Sequence, residues 1–314
     1  MDHRFISDWK RVLEKGREKA CCAGRLMEYE KFEIIFRVYR FRKKERNMGE
    51  LRIAVQSLKM SIHARMQYRV DSIVAALAVF LRESTNIIVI YLALLKFDKI
   101  NDWNVNEMLF LFSLLFLTYA FVVSLFADLR QFSDMTRTGR FDRLMLRPRG
   151  LLFQLILNNA DIIATIGHGT LGILLFVVSA GKVGIQWNLP TILYYVATVI
   201  GGVLIQGGMF IIFSSLCFYF VETNSIRDIF YWNMRKFAGY PISIYNKLIQ
   251  TIMIYVVPFA FVNYFPAQYL LRKPDMAQYP AIYMYLAPIV GVIVYCAAYI
   301  FWSISVKRYQ STGN

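Results

Sequence analysis

Long apolar runs separated by short loops dominate this chain, and they leave few folds open to it. A helix rising about 1.5 Å per residue needs roughly 20 apolar residues to cross a hydrocarbon core of about 30 Å. Stretches near 72–95, 107–127, 151–180, 190–221 and 282–304 have that length and character, and a further span falls somewhere in 226–270. Backbone amides cannot be left unpaired in lipid, so the spans read as helices and the fold class as an all-α polytopic membrane protein. Composition agrees, with 57% of the 314 residues hydrophobic and 16% aromatic.

Loop charge sets an expected orientation, because Lys and Arg are retained on the cytoplasmic side. With both termini inside, the inner segments 1–69, 128–149, 222–248 and 305–314 carry 18, six, four and two of the 36 Lys and Arg residues. The outer loops hold only Lys96, Lys99, Lys182, Arg272 and Lys273. The net charge of +15 therefore reflects topology and lipid headgroups, and a nucleic-acid role is set aside. The expected location is the cytoplasmic membrane, with several crossings.

Residues 1–47 are rich in Lys, Arg and Glu and contain no apolar run of signal-peptide length. Two readings stand for them: a flexible basic tail or extension ahead of a domain that starts at Met48, or a short amphipathic element against the membrane built on the alternation in 26–41. From Met48 to Arg69 the apolar residues Leu51, Val55, Leu58 and Ile62 recur at helical intervals among cations. That pattern predicts a helix over 49–69 lying in the membrane interface.

No phosphate-binding GxxxxGK[ST] loop, HExxH or GxSxG motif occurs, so an energy source is expected from outside the chain. His3, His63 and His168 are too scattered for a metal site. Cys21, Cys22, Cys217 and Cys296 form neither zinc spacing nor a disulfide framework. No cofactor and no catalytic residue is expected.

The loop 128–149 is the richest in charge, with six Arg and three Asp. Gly139 permits a break, FDRLML places Phe141, Leu144 and Met145 on a short helical face, and Pro148 stops it. Such an amphipathic knob suits docking into a partner's groove; equally, its arginines suit anchoring in anionic lipid. Within the spans, Arg82, Glu83, Asn158, Asp161, His168 and Gln206 are polar where polarity is costly, about 2.5–3.5 kcal/mol per charge near the centre. They read as ties between helices or as contacts to a transported substrate. Arg82 and Glu83 are adjacent and point about 100° apart, so each is expected to find its partner on another span or subunit.

Four stretches carry a resemblance: GELRIAVQSLKMSIHARMQYRVD (49–71), TGRFDRLMLRPRGLLFQ (138–154), FAGYPISIYNKLIQTIMIYVVPFAFVNYFPAQYLL (237–271) and KRYQSTGN (307–314). From about Met48 to Asn314 the chain resembles permease subunits of type-2 ABC exporters, in the subgroup where two related permeases work with a separate ATPase. The resemblance implies a single permease domain over 48–314 with an interfacial helix and six spans. It makes the fifth span short, near 224–241, and residues 242–270 a re-entrant hairpin on the outer side. It also implies that ATP is bound by a partner ATPase, which Arg140, Phe141, Asp142, Leu144 and Arg147 contact, and that a second permease subunit completes a heterodimer or a homodimer. The adjacent Arg82 and Glu83 depart from the family pattern, which is apolar there. Two other classes compete: a proton-coupled secondary transporter with Glu83, Asp161 and His168 as relay, and a polytopic membrane enzyme.

Overall fold

A computed structural model describes residues 69–309 apart from 98, 148, 158–160, 221–222 and 274–278, together with 56, 59 and 60. The predicted interfacial helix lies almost wholly outside the described residues, as do residues 1–47 and Asn158. Among the described residues the chain is helical, with no strand beyond an isolated bridge between Ile100 and Trp103. It is an all-α polytopic membrane protein.

Five helices have the length and apolar character to cross a bilayer, or six if one sharply bent pair is a single span. α1 (Arg69–Phe97), α2 (Val105–Leu125), α7 (Ile162–Ala180), α8 (Leu189–Leu216) and α13 (Ala287–Ser305) are the long ones. Between α2 and α7 the chain folds into four short helices: α3 (Ala127–Arg130), α4 (Phe132–Arg137), α5 (Arg140–Met145) and α6 (Leu151–Leu157). After α8 come α9 (Asn224–Arg227), a π-helical turn (Asp228–Asn233) and α10 (Met234–Phe237). Then follow α11 (Lys247–Thr251), a second π turn (Ile252–Val256) and α12 (Tyr264–Leu270).

Local chemistry explains several of these limits. α2 starts with a capping box: Asn104 Oδ1 accepts from the Glu107 amide (3.0 Å) and Glu107 Oε2 accepts from the Asn104 amide (2.8 Å). Asn188 caps α8, accepting from the Thr191 amide at 3.0 Å. The expected continuous span 151–180 is divided, because Asp161 accepts from the Ala164 amide at 3.2 Å and so begins a new helix. A carboxylate there also meets Arg130 (3.2 Å), which an uninterrupted helix would not arrange at a helix start.

The path of the chain can be followed through its contacts. α8 and α13 run parallel: Gly201 meets Ala287 and Gly291, Gly208 meets Val294, and the Ser305 hydroxyl donates to the Tyr219 hydroxyl at 3.3 Å. Two parallel neighbours require an odd crossing between them. Asn224 to Phe237 supplies it, since the Arg227 guanidinium donates to the Arg130 carbonyl at one end of the bundle. Further on, Ser243 Oγ accepts from Asn101 Nδ2 (2.9 Å) at the other end. The first is the arginine-rich end, carrying Arg130, Arg137, Arg140, Arg143 and Arg147; the second is called the opposite end below.

Residues 247–270 start and finish at the opposite end. Arg272 donates to Gln186 (3.0 Å) and Lys273 pairs with Glu107 (2.6 Å), both beside the loops of that end. At its deepest the segment reaches the middle of α8, where Val262 packs on Gly202, and Asn263 donates to the Ala238 carbonyl at 2.6 Å. Its two arms, Lys247–Val256 and Phe259–Leu270, meet at 74°. Both ends of the segment lie at the same end of the bundle, so the two arms form a bent hairpin that enters the bundle and returns.

Candidate functional site

At the arginine-rich end the short helices form a cap whose two sides differ. Gly139, at φ 67°, adopts the left-handed conformation that turns α4 back into α5. The turn drives Phe141 inward, where it is fully buried against Phe132 (ring centroids 5.1 Å), Phe218 (5.8 Å), Trp302 (6.4 Å) and Tyr309 (4.9 Å). Leu144 is buried beside it. The packed rings join the cap to the ends of α8 and α13.

Asp142 accepts a hydrogen bond from the Tyr309 hydroxyl at 2.8 Å. Burial and that carboxylate push the Tyr309 phenol up to about 12, so it stays a donor at neutral pH. Gln154 Nε2 ties α6 underneath, donating to the carbonyls of Leu144 (3.3 Å) and Arg149 (3.0 Å).

The residues expected to meet a partner thus fall into two groups. Phe141 and Leu144 are inside this chain's own core, and Asp142 is paired with its own C-terminal segment. Arg140 and Arg147 are exposed, together with Arg143, Met145 and Leu146, the last 85% exposed. Of the apolar face read from FDRLML, Phe141 and Leu144 turn inward while Met145 stays exposed, and Leu146, outside that face, projects furthest. A helix of six residues is too short for its outward face to be read from sequence spacing, because the entry angle at Gly139 decides it.

A second polar group lies within the spans. Glu83 on α1 is buried and meets His168 Nε2 on α7 at 3.7 Å. Arg82 does not reach another span: it folds onto its neighbour, Nη2 donating to Glu83 Oε1 at 3.0 Å. A long flexible stem overcomes the 100° separation. Arg235 on α10 lies over the Tyr119 ring, its guanidinium carbon 3.9 Å from the ring centroid. Gln206 on α8 ties three elements, donating to Thr118 Oγ1 (2.8 Å) on α2 and accepting from the Tyr231 hydroxyl (3.1 Å) on the π turn. Asp161, engaged with Arg130, is not part of the Glu83 cluster. Among the described residues no group of His, Cys, Asp or Glu is arranged to hold a metal.

A bundle of apolar crossings, a bent hairpin and an arginine-bearing cap make a polytopic membrane protein. A family model described as ABC-2 family transporter protein matches residues 80–313. The chain belongs to the ABC-2 transporter family and is a permease of an ABC transporter, not an enzyme in itself. No curated protein matches it, and no solved structure does.

Proposed function

We propose that the chain is the membrane subunit of an ATP-driven exporter in the cytoplasmic membrane. It works with a separate ATPase subunit and a second permease subunit, and both termini are cytoplasmic. The observation that carries this reading is the cap: Leu146 and Met145 project among Arg140, Arg143 and Arg147 from a base locked to α8 and α13. An apolar side chain between cations fits a groove with an acidic rim, and a rigid base passes displacement to the spans. Arg140, Arg143, Met145, Leu146 and Arg147 make the contact, while Phe141, Asp142 and Leu144 hold the contact surface in place.

Leu146→Asp tests it. Truncating an interface anchor costs about 2 kcal/mol or more, roughly a 30-fold loss of affinity. The variant is expected to fold normally, since the side chain is exposed, but to lose co-purification with the ATPase. Arg147→Glu is expected to weaken the complex most at low salt, because exposed pairs are screened. Wild-type complex yield from both variants would return the cap to a lipid anchor. Orientation is checked separately: single cysteines at positions 101 and 140 are expected to react from opposite sides of intact cells, with 140 protected from outside. Reaction of both from one side would overturn the topology.

A further inference from the structure

We propose that His168 and Glu83 together bind one exchangeable proton inside the membrane, between Nε2 and Oε1, and that this proton fastens α1 to the bundle. The site stands whether or not an ATPase drives the chain.

His168 Nδ1 lies 2.7 Å from the Ala164 carbonyl oxygen. A carbonyl only accepts, so Nδ1 holds the hydrogen of the neutral ring and Nε2 is left with a lone pair. That lone pair faces Glu83 Oε1 at 3.7 Å, with His168 only 3% exposed and Nε2 without a hydrogen-bond partner. Two acceptors facing each other away from water repel. A proton placed on Nε2 converts the contact to an ion pair in surroundings where such a pair is strong. Nothing is oxidised or reduced: one proton enters from water, one N–H bond forms and the cluster gains one positive charge.

The surroundings fix where the proton resides. Arg82 bonds the same carboxylate oxygen, and Arg235 of α10 acts on the carboxylate electrostatically. With Oε1 already accepting from Arg82, the unpartnered Nε2 lone pair of His168 is the seat left for the proton. The Tyr119 ring of α2 closes the site edge-to-face at 4.8 Å, and Tyr231 of the π turn lies within electrostatic reach of Arg235. His168 sits six residues into α7, roughly 9 Å from its start at the arginine-rich end.

The mechanical consequence follows from how α1 is held. Its exposed face is mostly apolar, with Arg82 the charged side chain beside the site, and it meets the bundle along α7, where Ala76 and Val79 press on Gly167 next to the Glu83 and His168 pair. Loss of the proton turns the polar half of that contact repulsive and loosens α1.

The test uses the full chain in lipid nanodiscs, with His3 and His63 replaced by Gln so that His168 gives the only histidine signal. Imidazole 15N shifts distinguish the imidazolium from the two neutral tautomers. The imidazolium is expected in the parent chain at neutral pH, and the neutral Nδ1–H ring in Glu83→Gln under the same conditions. Arg82→Gln, which leaves both partners in place, is expected to keep the imidazolium. A neutral ring in the parent chain, or an imidazolium that Glu83→Gln leaves unchanged, would overturn the proposal. If Glu83→Gln fails to insert, Glu83→Asp lengthens the gap and is expected to weaken proton binding in the same direction.

Discussion

Phe141→Ala is expected to lower the stability of the protein by about 3–5 kcal/mol, the range for truncating a buried aromatic side chain. The ring touches Phe132, Phe218, Trp302 and Tyr309 and has no exposed surface. Nothing nearby is small and mobile enough to refill the space, so the cavity persists and α5 loses its anchorage on α8 and α13. The measurement is a thermal melt in detergent set beside Leu146→Asp. The account expects a large drop for Phe141→Ala and almost none for Leu146→Asp. An unchanged melt for Phe141→Ala with loss of the ATPase would instead make Phe141 a direct contact and displace the division of roles drawn above.

The second large effect is expected at the seam between α8 and α13. A Cβ on Gly291 would stand 2.6 Å from the Gly201 carbonyl oxygen and 2.8 Å from its Cα, both backbone atoms that cannot rotate away. Small residues permit such an approach, and any side chain forces the helices apart. Gly291→Val is therefore expected to cost about 3 kcal/mol, the upper end of ordinary overpacking. It should also broaden or abolish the monodisperse peak on size exclusion. Gly181→Ala is the control, because its Cβ would meet nothing within 4 Å. Equal melting temperatures for the two variants would mean that the parallel pair is not packed as described.

The residues differ in how much of this was legible from sequence. Spans were, because about 20 apolar residues in a row admit few alternatives in lipid. The division of 151–180 was less so: Asp161 looked like a polar residue on a helix face, whereas it caps a new helix and pairs with Arg130. An N-cap carboxylate and a buried face carboxylate look alike until the chain's direction is known. Tertiary pairing was the hardest to see. The Arg82 side chain turns back to Glu83 while remaining 66% exposed, and Arg235 enters the same cluster from 152 positions downstream of Glu83. No local period signals that meeting. At the cap, the residue types were visible, but whether Phe141 or Leu146 faces outward depends on the left-handed Gly139 turn.

The central claim is that the arginine-rich cap is where an ATPase grips this permease. A photoreactive amino acid at position 146, in the full chain in its native membrane, tests it most directly, with position 101 at the opposite end as comparison. The account predicts that light links position 146 to an ATP-binding subunit identified by mass spectrometry, and that position 101 gives no such product. An ATP-binding subunit linked to position 101, or to neither position in a transport-competent complex, would contradict it.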